Sequence, residues 1–316
     1  MKKKAIIIIS LISVVIFLIV SCVVGYLVYD GSVGSEQKIK NEDIVEVFSH
    51  RKGKPLDKLK KYKYEDVFIN SPENGYKVEG KFIKSNKKTD NSIILVHGIE
   101  SNYYEYLEKA YEYLEHGYNV MLYNQRHTGN TGGDDYTFGL REKYDLENVA
   151  KFVHKKYPNG LLGAHGHSMG AATVVMHSEI NEKNKYVDFY IADSPYHEMS
   201  DAIRLGIEAE NIPMLPIGYA RTMGNLYTQI KSGFSYEDVK PYKSVQNITT
   251  PMFLIHGKED KVCSPIGSQI IYNNIPNDKK ELWLIDGVQH VNGYDILGKE
   301  YFDRIYKFID DKVARK

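Results

Sequence analysis

The chain has 316 residues, and its 41 Lys and Arg balance 41 Asp and Glu, so the formal net charge at pH 7 is zero. That balance speaks against a nucleic-acid partner, whose binders carry a basic surplus. Two cysteines, Cys22 and Cys263, leave neither a disulfide framework nor a Cys-rich zinc site, and 42% hydrophobic residues with 26 Tyr belong to a chain that folds by burial.

Lys2, Lys3 and Lys4 precede an almost unbroken apolar run over residues 5–28. As a helix this run measures roughly 36 Å, enough for a bilayer core and longer than the apolar region of a cleavable signal. The charges after it, Asp30, Glu36, Lys38, Lys40, Glu42 and Asp43, nearly cancel. The positive-inside rule therefore predicts a cytoplasmic amino terminus and an extracellular body on a single-pass anchor. A competing reading takes Ile19-Val20-Ser21-Cys22 as similar to a bacterial lipobox, with Cys22 lipidated after cleavage; the apolar stretch 23–28 continues past it, where such proteins turn polar. Either way the protein is tethered. Residues 1–29 read as the anchor and 30–61, with Gly31, Gly34 and many lysines, as a polar stalk containing a short helix near 43–50.

From residue 62 the apolar pattern changes period repeatedly. Residues 64–69 and 76–83 predict two opening strands around the turn Pro72-Glu73-Asn74-Gly75. Short apolar runs at 92–96, 119–123, 161–164, 187–192, 252–255 and 282–285 have the form of strands covered on both faces. Between them, 103–116, 142–157, 169–180, 265–274 and 299–312 carry apolar residues at helical steps. The alternation predicts an α/β body over 62–316, a mainly parallel sheet flanked by helices, with ligands at the carboxyl ends of the strands. Residues 197–240 are too long for an ordinary connection. They read as a helical cap over the site, the plainer alternative being two extra surface helices.

Gly166-His167-Ser168-Met169-Gly170 is a G-x-S-x-G pentapeptide lying between a predicted strand and a predicted helix. The glycines suit a sharp turn that brings two backbones close, with Ala171 and Ala172 fitting the same crowding. At the helix start, free N–H groups and the helix dipole favour developing negative charge, so the Met169 amide can stabilise an oxyanion. Serine needs a base to take its proton. His290 follows the strand at 282–285, and Asp260, in the loop after 252–255, is placed to orient an imidazole. The order Ser168, Asp260, His290 is that of an α/β-hydrolase triad.

With His97-Gly98 after a strand, the turn from Tyr123 to Gly129, the elbow, His256-Gly257 with Asp260, and Gly287 with His290, the chain resembles the α/β-hydrolases from about residue 62 to 313. It is similar to the single-pass, poorly characterised serine hydrolases of Gram-positive bacteria. The resemblance implies that Ile99 supplies a second oxyanion amide, in preference to Glu100, and that His97 braces its loop. The turn departs from the family's D-x-R-G-H-G form at Asn124, His127 and Thr128.

Other assignments are weaker. Glu259 adjoins Asp260, and Asp193 ends the strand before the cap, so both are alternative acids. His165, His167 and His97 have no carboxylate or Cys at ligand spacing and read as packing. The glycine turn at 129–133 lacks a phosphate-loop pattern, and Tyr103, Tyr104, Tyr106, Tyr111 and Tyr113 read as helix packing. The expected activity is acyl transfer to water from a small-molecule or lipid ester, with no cofactor and no metal. A serine peptidase of the same fold, and a tethered binding protein that has lost turnover, are the alternatives.

Overall fold

The computed structural model describes residues 2–34, 40, 55–276 and 278–313. The short helix expected near 43–50 and most of the expected stalk lie outside the described residues.

An eight-stranded sheet organises the body, in the order β1-β2-β4-β3-β5-β6-β7-β8. Its strands are β1 (Tyr64–Ser71), β2 (Tyr76–Ile83), β3 (Ser92–Val96), β4 (Asn119–Tyr123), β5 (Leu162–His167), β6 (Phe189–Asp193), β7 (Met252–Gly257) and β8 (Lys280–Ile285). β2 is antiparallel to β1 and β4, and every pairing from β4 to β8 is parallel. The five central strands β3 to β7 are buried along their whole length. That is why they read as continuous apolar runs and not as alternation.

The helices, in chain order, are α1 (Lys2–Asp30), α2 (Pro55–Leu59), α3 (Leu107–His116), α4 (Glu142–Lys156), α5 (Met169–Asn184), α6 (Met199–Glu210), α7 (Ile217–Ser232), α8 (Pro241–Ser244), α9 (Pro265–Asn274), α10 (Gly293–Leu297) and α11 (Lys299–Lys312). On one face of the sheet Tyr106, Tyr113, Tyr301, Phe302 and Phe308 pack with Leu95 and Phe253; on the other, Val149, Val153, Val174 and Val175 pack with Ile94 and Leu254. The crossover helices are placed by these two apolar layers, which is the α/β-hydrolase arrangement.

A third apolar cluster lies at the carboxyl ends of the strands. It joins Met169 and Met176 of α5 to Tyr196, Met199, Ile203, Phe234 and Tyr236, all from the 197–240 insertion or its edge, and to Val33. Val33, from the segment expected to be a polar spacer, is 0% exposed and its carbonyl accepts the Tyr136 N–H at 2.9 Å. α1 is exposed on every side over residues 3–20, then buries one face from Ser21 onward. That face lies on α7. Ser21 Oγ is 2.7 Å from the Tyr219 hydroxyl, the Phe17 and Tyr219 rings are 6.2 Å apart, the Tyr29 and Tyr227 rings 5.3 Å, and the Tyr29 hydroxyl is 3.0 Å from Ser232 Oγ. Residue numbers rise together in both helices, so they run parallel. At Gly25 a Cβ would lie 2.7 Å from the Met223 carbonyl oxygen, which explains why the closest approach uses glycine.

Candidate active site

β5 runs directly into α5, and Ser168 sits at the join with φ 53° and ψ −123°. For a residue with a Cβ this conformation costs on the order of 1–3 kcal/mol and persists only where surrounding structure enforces it. The enforcement is visible. The Ser168 N–H donates to the Asp193 carbonyl at 2.9 Å. A Cβ on Gly166 would lie 2.2 Å from the Gly170 carbonyl oxygen, and one on Gly170 would lie 2.0 Å from that of Val96. Only glycine at both positions lets α5 press against β3 and β5 closely enough to hold the serine in this turn.

His290 follows β8, and Asp260 follows β7. His290 Nε2 is 3.0 Å from Ser168 Oγ, and its Nδ1 is 2.6 Å from Asp260 Oδ2. An Nδ1–H donating to the carboxylate leaves Nε2 as the acceptor for the serine hydroxyl. Asp260 Oδ1 accepts the Val262 and Cys263 N–H groups at 2.8 and 2.9 Å. A second imidazole approaches the same carboxylate: His256 Nε2 lies 3.1 Å from Asp260 Oδ2 and 3.0 Å from the Cys263 carbonyl, while Ser268 Oγ is 2.7 Å from His256 Nδ1. Burial alone would raise the Asp260 carboxyl, but hydrogen bonds from His256 and His290, the charge of His290 and the Cys263 amide outweigh it and hold it well below the usual carboxylate range. The alternative acids stand elsewhere. Glu259 is exposed, and the Asp193 carboxylate receives the hydroxyls of Tyr301 at 2.8 Å and Ser194 at 3.1 Å.

Met169 is the first residue of α5, so its N–H belongs to the helix-start donors without an intrahelical acceptor. Ile99, with Gly98, Ser168, Glu105, His290 and Asp295, borders a cavity of about 340 Å³ at the strand ends. No residue of 197–240 borders this cavity; that insertion instead packs behind Met169 and against Ile99. The Ile99 loop is fixed by His97, whose Nδ1–H donates to the Gly98 carbonyl at 2.7 Å and whose Nε2 accepts the Gln125 N–H at 2.9 Å. Burial lowers the His97 pKa to about 4, so the ring is neutral at pH 7 and acts as a brace.

Two features had no signal in the local sequence pattern. One is the His256 approach to Asp260. The other is Glu105, which borders the cavity with its Oε2 3.0 Å from His167 Nε2. Burial would raise the Glu105 carboxyl, yet the His167 charge and hydrogen bond pull it well below the usual range. His165 is occupied by Tyr113 and Tyr301 at 3.0 and 3.3 Å, and Arg126 of the atypical turn donates through Nε to the Asp135 carbonyl at 2.7 Å and pairs with its carboxylate.

Residues 87–235 and 239–292 match the family described as serine aminopeptidase, S33. Among curated proteins, the uncharacterised protein YqkD of Bacillus subtilis is 27% identical over 250 residues, covering 78% of this chain and 79% of that protein. Among solved structures, the esterase Pf2001 of Pyrococcus furiosus superposes with a TM-score of 0.66 at 24% identity, covering 84% of this chain and 98% of that one. The acylaminoacyl peptidase of Pyrococcus horikoshii superposes with a TM-score of 0.59 at 18% identity, over 82% of this chain and 43% of that one. These likenesses are to the α/β-hydrolase fold.

Proposed function

We propose that this chain, which belongs to the serine aminopeptidase S33 family, is a membrane-tethered serine hydrolase that cleaves carboxylic esters through an acyl-enzyme. One observation carries the reading: Ser168 Oγ, on a backbone turn held at positive φ, is 3.0 Å from His290 Nε2, whose other nitrogen is 2.6 Å from Asp260. In this reading Ser168 Oγ attacks the ester carbonyl as His290 takes its proton, and Asp260 holds the imidazole in the accepting tautomer. The amides of Met169 and Ile99 donate to the tetrahedral oxyanion. His290 then protonates the departing alkoxide. Water enters and attacks the acyl carbonyl as His290 removes its proton; the second tetrahedral adduct collapses with cleavage of its bond to Ser168 Oγ, His290 returns the proton to that oxygen, and the carboxylic acid leaves. The substrate class is a small-molecule or lipid ester, for which alkoxide departure makes fewer geometric demands than amine departure.

An aminopeptidase reading has the description of the family in its favour, and with it the position of Glu108 and Asp295, which border the cavity where a substrate ammonium would be received. A panel of p-nitrophenyl esters from acetate to palmitate beside aminoacyl anilides separates the two, with ester turnover exceeding anilide turnover expected here. A fluorophosphonate should label the wild-type protein and not Ser168→Ala, and Ser168→Ala or His290→Ala should each lower ester turnover by several powers of ten. Near-normal rates in either variant would remove the triad, and an unlabelled wild type would favour a binding protein that has lost turnover.

The tether is read as a retained single-pass helix with the body outside the cell. Its support is that α1 is long and apolar enough to cross a membrane, that the lysines stand at its amino end, and that one face of residues 21–33 packs on the cap, with Val28, Tyr29 and Val33 in its apolar cluster. Cleavage after this helix would strip α7 of its neighbour, which supports retention over a disposable leader. Protease treatment of intact cells should release the body; its survival intact would reverse the orientation.

A further inference from the structure

The parallel packing of α1 and α7 fixes the height of the cap relative to the apolar helix. Tyr219, in the first turn of α7, stands beside Phe17 and Ser21. The loop joining α6 to α7, residues 211–216, precedes that turn and therefore lies level with a still earlier part of α1. From Ala5 to Phe17 the helix rises only about 20 Å, whereas a bilayer's hydrocarbon is roughly 30 Å thick. If Lys2, Lys3 and Lys4 remain among the headgroups of one leaflet, hydrocarbon extends past Phe17, and the α6–α7 loop stands at or within the other leaflet's boundary.

The loop's chemistry suits that position. Met214 is 101% exposed and Ile212 52%, and farther along α7 Leu226 and Ile230 are exposed as well. Pro213 and Pro216 bring no N–H groups that would need an acceptor in lipid. On the shoulders of the loop Arg204 pairs with Glu208 at 2.6 Å, while Glu210 and Arg221 carry charge close by. These charges limit the depth to a shallow wedge, with Arg221 able to extend its stem toward the headgroups. Local thinning of the bilayer beside the cap, with lysine stems that let the amino end of α1 sit below the headgroups, accommodates the remainder, which a tilt of α1 would enlarge.

We propose that the α6–α7 loop is a membrane-contact site, with Met214 and Ile212 inserted among the glycerol and upper acyl segments of the leaflet nearest the body. The inference rests on the reading of α1 as a retained anchor. It makes the cap the part of the molecule that faces lipid. It also accounts for an insertion that borders none of the cavity yet packs behind Met169 and Ile99.

The test uses the full chain with Cys22→Ala, carrying either Met214→Cys or Lys88→Cys labelled with an environment-sensitive nitrobenzoxadiazole dye. Lys88 is exposed in the loop before β3, at the opposite end of the parallel strands. Reconstitution is into phosphatidylcholine and phosphatidylglycerol vesicles, with and without lipid bearing a doxyl group at carbon 5 of the acyl chain. The expected result is co-flotation with the vesicles, with blue-shifted emission at position 214 that the doxyl lipid quenches and unchanged emission at position 88. Co-flotation with an unquenched label at 214 overturns the insertion and leaves the anchor standing. A blue shift without doxyl quenching also overturns it, pointing to a protein neighbour such as a second copy. Failure to co-float removes the anchor reading and this inference with it.

Discussion

Asp260 serves two imidazoles with one carboxylate oxygen. His290 and His256 both reach Oδ2, at 2.6 and 3.1 Å, while Oδ1 is occupied by two backbone amides. Hydrogen bonds to a charged group contribute roughly 1.5–3 kcal/mol. Removing the His256 donor with His256→Phe, which keeps a ring of similar bulk, should therefore lower kcat by about tenfold or more by loosening the orientation of His290. The Michaelis constant should barely move, because His256 borders no part of the cavity. An unchanged kcat would show that Asp260 is held by its amides alone. The sequence makes Ser168, Asp260 and His290 readable as candidates because each lies just beyond a legible strand and parallel strands bring such ends together. It gives no access to His256 or to the Glu105–His167 pair. Their roles depend on distances across the fold, and the His256-Gly257 motif marks the loop after the strand without showing that the His256 ring turns back to Asp260.

The elements show where local pattern suffices and where packing decides. Strands 92–96 and 119–123 carry their predicted bounds because every residue is buried on both faces. β5 runs on to His167, beyond the predicted 161–164, because His165 and His167 are buried through hydrogen bonds that an apolar count does not register. The stretch 103–116 divides into a 3₁₀ turn, Tyr103–Tyr106, and α3, because the side chain of Asn102 accepts the Tyr104 N–H and caps the tighter turn. The five-residue α10 is too short to display a period. The elbow is the element with least tolerance. Gly170→Ala would place a methyl 2.0 Å from the Val96 carbonyl oxygen and 2.6 Å from that of His97, both backbone atoms that cannot step aside. It should cost several kcal/mol, with a melting-temperature drop on the order of 10 °C or failure to fold. Gly206→Ala, on α6 with nothing within 4 Å of the added methyl, should instead be neutral or stabilising by about 0.5–1 kcal/mol. Equal effects in a thermal melt would contradict the crowding argument.

At the scale of the whole molecule, the docking of α1 on α7 was illegible because the partners are some two hundred residues apart and a long apolar run reads the same whether or not its last turns find a neighbour. The acid response of the fold likewise depends on burial that no local pattern shows. His97, His165 and His177 are all buried, and burial lowers each pKa, to about 4 for His97. The unfolded chain takes up these protons as pH falls below about 6.5 while the folded chain resists, so stability is lost on acidification. Asp145 works in the opposite sense. Burial raises its carboxyl to about 6, despite donors from Ser71, Asn74 and Tyr76, so between about 4 and 6 the folded state holds the proton that the unfolded state releases. Its contribution is present below the ordinary carboxylate value and is lost as pH rises through 6, a change of about 3 kcal/mol. On acidification Asp145 therefore offsets part of the histidine loss. Asp145→Asn removes the offset, so its urea midpoint should fall more steeply than that of the wild type between pH 7 and 4.5, with the full chain held in mild detergent micelles. Parallel slopes in the two proteins would mean that Asp145 is ionised throughout that range and that its three donors outweigh its burial.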